Sequence, residues 1–110
     1  MAMPTQMQHI TRNMVRAILN ADPRPSFDTH WLEKRILRER AIAFAEELLE
    51  FRTRRDPLQR FSMAFSQWFG KEFRLHVRKI STVKQKSENL AGDRILNQGW
   101  TKINPGSPIP

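Results

Sequence analysis

The chain has 110 residues, with three Trp, seven Phe and a net charge of +8, which suits one folded domain with a modest core and excludes a compositionally disordered chain. It contains no cysteine, so disulfides, thiolate metal sites and cysteine nucleophiles are all excluded. No window approaches the roughly 18 consecutive apolar residues of a membrane span, and the expected localisation is cytoplasmic.

A first helix is predicted over about residues 5–20, where Met7, Ile10, Met14 and Ile18 fall on one helical stripe. Residues 1–21 carry Arg12 and Arg16 but no acid, a composition that a mitochondrial transit segment would share. A first helix of the folded domain accounts for it equally, and that is the reading taken. Pro23 and Pro25 end this helix, since proline cannot continue one and restricts the residue before it.

Asp28 or Thr29 then caps a second helix, with Glu33 early in it to meet the positive end of the dipole. Leu32, Ile36, Leu37, Ala41, Phe44, Ala45, Leu48 and Phe51 recur at spacings of three and four, with no Gly or Pro between. The pattern predicts one helix over 29–54, spanning about 40 Å at about 1.5 Å per residue. Such a helix crosses the whole domain or pairs with a copy of itself, so a homodimer through it is an expected partner.

Asp56-Pro57 pairs a capping acid with proline at the first helical position. It restarts a third helix, whose Leu58, Phe61, Phe65, Trp68 and Phe69 run to about Gly70. Phe73 to Arg78 alternates apolar and basic residues, as in a half-buried strand with one basic face. Ser81 or Thr82 caps a fourth helix that buries Val83, Leu90, Ala91 and Ile95 and ends near Gln98, before Gly99. Trp100 to Ile103 is a short strand candidate. The expected fold is one mainly α domain over 1–103, with about four helices and a small two-stranded β element in its C-terminal half, followed by a flexible Pro-rich tail over 104–110. Strand, capped helix, glycine and strand resemble in outline the recognition half of a winged helix.

Catalysis finds little support. His9, His30 and His76 share no metal-ligand spacing, and the four glycines are too scattered to cradle a phosphate. Glu46, Glu47 and Glu50 imitate a carboxylate metal set but read better as a solvated helix face. The chain is therefore read as a non-enzymatic protein with no cofactor and no metal.

Charge is the informative feature. Residues 1–50 hold seven basic and seven acidic side chains, whereas residues 51–110 hold twelve basic against four acidic, so the entire excess lies in one half. Such asymmetry points to a polyanion, because each phosphate that a cation neutralises releases condensed counterions. The richest stretch contains Lys71, Arg74, Arg78, Lys79, Lys84 and Lys86, offset only by Glu72. On a strand Arg74, His76 and Arg78 point the same way. Ser81 and Thr82 place a helix N-terminus for phosphate, and Lys84, Gln85, Lys86 and Asn89 project from its first turns. Lys102 joins this candidate face. A second basic site is expected at Arg52, Arg54, Arg55 and Arg60. Trp68, Phe69 and Phe73 read as core, and Trp100 as the exposed aromatic. The expected function is nucleic-acid binding, DNA before RNA, by a compact regulator or accessory factor. An RNA-binding subunit and a dimeric protein-interaction module are the alternatives.

Overall fold

The computed structural model describes residues 6–80 and 85–110. Among them are four helices and five strands, in the order α1 (Arg12–Ala21), β1 (Ser26–Asp28), α2 (Thr29–Glu39), α3 (Ala41–Leu49), α4 (Pro57–Glu72), β2 (Val77–Lys79), β3 (Gln85–Glu88), β4 (Arg94–Asn97) and β5 (Gly99–Lys102). The fold is mixed α/β, with a three-stranded antiparallel sheet of order β1-β5-β2 and a separate antiparallel pair β3-β4. This corrects the mainly α expectation and its winged-helix outline.

α1 starts later than its apolar stripe suggests. Thr11 caps it by accepting from the Met14 amide at 3.2 Å. The amides of Gln8, His9 and Ile10 instead donate to the carboxylate of Glu47, at 2.8–3.2 Å. A side chain from another helix thus satisfies donors that an earlier helical turn would have used.

The predicted second helix is two. Asp28 caps α2 through the Trp31 amide at 2.8 Å, and the chain leaves helical geometry at Arg40 (φ −137°, ψ 56°) before α3 begins. The molecule measures only 40 Å along its longest axis and 28–29 Å across the others, so one straight helix would have left much of its apolar stripe uncovered. The break lets Leu32 and Ile36 on α2 and Phe44 on α3 all reach the core, while Leu37 and Ile42 stay exposed. The continuous helix that suggested a dimer does not form.

α4 follows the restart signal at Pro57, although Asp56 enters it in the left-handed region (φ 51°) and makes no capping hydrogen bond. Its apolar face buries Phe61, Ala64, Phe65, Trp68 and Phe69. These pack against Phe27, Val77 and Trp100 of the sheet and against Val15, Ile18 and Leu19 of α1 in one core. Each such large side chain contributes roughly 1.5–3 kcal/mol when fully buried.

The predicted fourth helix is a hairpin. Asn89 turns the chain: its Oδ1 accepts the amides of Ala91 and Asp93, both at 2.9 Å, and Gly92 takes φ +88°. The proposed caps Ser81 and Thr82 lie outside the described residues. The C-terminal segment, expected to be flexible, docks on α1, where Asn20 accepts from the Ile109 amide at 2.8 Å and donates to its carbonyl at 3.0 Å. Among the described residues, no helix is long and apolar enough to cross a membrane.

Candidate nucleic-acid interface

α4 is amphipathic, and its polar face carries the candidate site. Opposite the aromatics, Gln59, Ser62, Met63, Ser66, Gln67, Gly70 and Lys71 recur at alternating steps of three and one, a single helical stripe. From Gln59 to Lys71 that stripe runs about 18 Å at about 1.5 Å per residue. Two clefts border it. One, of about 380 Å³, lies between the C-terminal half of α4 and the sheet and includes Lys71, Arg74 and Lys79 in its lining. The other, of about 340 Å³, lies between α4 and strand β4. They share Ser66, Gln67 and Gln98 and so adjoin.

Strand pairing explains how Lys79 reaches this place. Phe27, Trp100 and Lys79 are register partners across the three strands, so their side chains share one face of the sheet. Phe27 and Trp100 are buried there, and Lys79 is exposed on that same face. Arg78 falls on the opposite face with Thr101 and Ser26. The expectation that Arg74, His76 and Arg78 line up on one strand is corrected accordingly. Residues 73–76 form a turn closed by hydrogen bonds from the His76 and Val77 amides to the Phe73 carbonyl, each 2.8 Å, and the strand begins only at Val77.

No acid appears among the described lining residues of the cationic cleft, and Lys71, Arg74 and Lys79 form no ion pair with any described residue. A neighbouring cleft of about 350 Å³ shares Lys71 and Arg74 and adds Arg12, His76 and one acid, Glu72. His76 is half-buried there. The floor of the cationic cleft is rigid: Trp100 lies against Gly70, where an added Cβ would meet its ring at 2.8 Å. The indole donates to Thr29 Oγ1 at 2.9 Å and meets the Phe69 ring edge-on with centroids 5.1 Å apart. Trp100 is therefore a core residue, contrary to its expected exposure. Trp68, Phe69 and Phe73 are core as expected.

Other expected site residues disperse. Lys102 is structural: its Nζ donates to the carbonyls of Leu19 at 2.9 Å and Asp22 at 2.6 Å, closing the C-terminal end of α1. Burial lowers its pKa. The Asn89 carboxamide oxygen is occupied in the hairpin turn. Lys86 is exposed on β3 opposite Leu96. Gln85 opens β3, and Lys84, like Ser81 and Thr82, lies outside the described residues. Arg52, Arg54, Arg55 and Arg60 are exposed around the α3–α4 turn, at the end of α4 remote from Lys71. One of them, Arg52, donates to the Leu49 carbonyl at 2.9 Å, as a cation near a helix C-terminus does.

Glu46 and Glu50 are exposed, as a solvated helix face requires, but Glu47 is not. Glu47 is buried beneath the N-terminal segment, and Glu46 and Glu50 hold the two ring nitrogens of His9 at 3.0 and 2.9 Å. Lys71 belongs to the basic run that is legible in the sequence, whereas Gln59, Gln67 and Gln98 carry no charge to mark them. The signal that finds the first two glutamines is the polar stripe of α4, on the side opposite its aromatics. Compared with known proteins, the chain matches no family model, no curated protein and no solved structure.

Proposed function

We propose that this protein binds nucleic acid without catalysing a reaction on it, holding the phosphate backbone at the cationic cleft of α4 and β2. The observation that carries the reading is the meeting of Lys71, Arg74 and Lys79 around one cleft with no acid among its described lining. Cations paired within a protein have little charge left for a ligand. Unpaired ones gathered on a concave surface raise the local concentration of a polyanion and contact its phosphates. Arg12 and His76 extend the same surface toward the neighbouring cleft, while Arg78 and Lys86 supply outlying contacts. The cluster of Arg52, Arg54, Arg55 and Arg60 is a second contact at the far end of α4. DNA is the assigned partner, in the reducing cytoplasm that a cysteine-free chain suits.

The test is fluorescence anisotropy of labelled duplex DNA, duplex RNA and single strands, each titrated at several salt concentrations. Binding whose log affinity falls steeply with log salt is expected, with each duplex-DNA phosphate contact adding about 0.9 to the slope. Arg74→Ala combined with Lys79→Ala should lower both the affinity and the slope. Tighter binding to RNA than to DNA of the same strandedness would reassign the partner. Absence of binding to any of them at low salt would overturn the reading.

A further inference from the structure

The cationic cleft adjoins a second one of different chemistry, between α4 and β4. We propose that this second cleft is a base pocket, which accepts one unpaired nucleobase of a single strand whose phosphates lie at Lys71, Arg74 and Lys79. The proposal rests on the nucleic-acid reading above and specifies its ligand.

Three observations carry it. The pocket has no Lys, Arg, Asp or Glu among its described lining residues, so the charge changes abruptly along one continuous groove. A nucleotide has that same polarity, an anionic phosphate joined to a neutral, flat, hydrogen-bonding base. The pocket also offers apolar surface from two sides, Met63 on α4 and Leu96 on β4, which are 47% and 56% exposed although each flanks a concavity. Apolar side chains in that position can cover the two faces of a ring. Finally, Gln59 and Gln67 border the pocket from α4, and no hydrogen bond from a described residue engages either carboxamide. Each retains a paired donor and acceptor, the complement of a base edge.

The shape selects an unpaired base. In a duplex the bases are stacked and only their edges are accessible within the grooves, whereas a single strand can splay one base into a pocket. Gln67 borders both clefts and lies one helical step before Lys71, so it is positioned between base and phosphate. Asn97 and Ser62 in the lining are already committed: Asn97 accepts from the His30 amide at 3.0 Å and donates to Ser87 at 3.1 Å, and Ser62 donates to Glu33 at 2.6 Å. These bonds hold the pocket walls, and Gln59 and Gln67 are left to face the base.

The experiment compares two labelled DNA single strands of equal length and charge, one of thymidines and one whose bases are replaced by abasic tetrahydrofuran sites. Anisotropy titrations use the whole protein at low salt. The base-bearing strand should bind about tenfold more tightly, in keeping with the loss that follows removal of one base contact. Met63→Ala with Gln67→Ala should shrink that gap without weakening binding to the abasic strand. Lys71→Ala with Arg74→Ala should weaken both strands alike. All four positions lie on the surface, and circular dichroism verifies the fold of each variant. Equal affinity of the unsubstituted protein for the two strands would overturn the base pocket and leave the phosphate surface standing. So would a gap that survives the Met63 and Gln67 substitutions. Failure of both strands to bind would overturn the base pocket, and the phosphate surface with it if duplex DNA and duplex RNA also fail to bind.

Discussion

The hydroxyl of Ser62 donates to the carboxylate of Glu33 at 2.6 Å, directly beneath the base pocket, and Glu33 is only 1% exposed. Burial pushes its pKa up from 4.5 to about 7, although the Ser62 hydrogen bond pulls the other way. The folded state therefore holds a proton that the unfolded chain has released. Between pH 4.5 and about 7 the folded state binds more protons, so stability falls as pH rises through that window and then levels off. The loss from this group alone is on the order of 3 kcal/mol. Glu33→Gln keeps the shape and an acceptor for Ser62 but has no charge to desolvate. It should match the original chain near pH 5 and exceed its stability at pH 8 by about that amount, measured by urea unfolding at both pH values. His30 acts with opposite sign. Burial lowers its pKa from 6.5, so its contribution is present above that value and is lost as pH falls through the lower folded pKa. The comparison must therefore be between variants at each pH, not along one profile.

A second prediction concerns the contact of Gly70 with Trp100. Ala is ordinarily the better residue inside a helix, by about 1 kcal/mol. Here a Cβ at residue 70 would lie 2.8 Å from Cη2 and 3.3 Å from Cζ3 of the indole. The ring has little room to yield, because Phe69 meets it edge-on and Thr29 holds its N–H. Overpacking of this kind costs about 1–3 kcal/mol, so Gly70→Ala should destabilise despite its helix propensity. Thr29→Val tests the other restraint by leaving a buried indole N–H without its acceptor, at a cost of about 1–3 kcal/mol. Thermal unfolding and tryptophan emission report both variants. A Gly70→Ala variant that melts higher than the original chain would refute the contact.

A third prediction follows from Glu47, which gathers the amides of Gln8, His9 and Ile10. Glu47→Ala should release the segment before α1, lowering hydrogen-exchange protection at those three amides while the amides of α4 remain slow. His9 adds a pH dependence, since its hydrogen bond to Glu50 raises its pKa above 6.5. Its contribution is complete below 6.5 and disappears as pH rises through the raised value. Protection of the segment, corrected for intrinsic exchange, should therefore fall on going from pH 6 to pH 8, and His9→Ala should flatten the change.

These contacts show where the sequence was legible and where it was not. The aromatic stripe of α4, its start at Pro57 and the cap at Asp28 depend on neighbours within one or two turns, and local pattern is enough for them. The break at Arg40 has no Gly or Pro to announce it. It arises because a small core must be covered from several sides, a condition set by the whole chain. The β3–β4 hairpin failed for another reason: Leu90, Ala91 and Ile95 are too few to distinguish a helix from a hairpin. The deciding residues were Asn89 and Gly92, which form the turn, not a helix surface and its interior. At the candidate site, Arg74 and Lys79 were legible from charge density. Their meeting with Lys71 was not, because it depends on the turn at residues 73–76 that carries Arg74 and on the face of β2 that Lys79 takes once β5 pairs with it.

The last prediction separates two cations that charge alone treats as equals. Lys102 and Arg74 were both assigned to nucleic acid from sequence. Lys102 spends its ammonium on the carbonyls of Leu19 and Asp22, at 2.9 and 2.6 Å, where it offsets the negative end of α1. Arg74 is exposed beside the cationic cleft and makes no ion pair with a described residue. Lys102→Met keeps the aliphatic stem but leaves those carbonyls without their donor, and should cost about 1–3 kcal/mol of stability. Its affinity for DNA, measured where the variant is fully folded, should stay within about twofold, because it has removed little of the screened surface charge. Arg74→Ala should do the reverse, leaving the melting temperature nearly unchanged, as surface substitutions usually do within about 0.5 kcal/mol. It should lower affinity and reduce the salt slope by about one phosphate contact. If instead Lys102→Met weakened binding while Arg74→Ala did not, the phosphate surface would have to move from the α4–β2 cleft to the α1 side of the sheet.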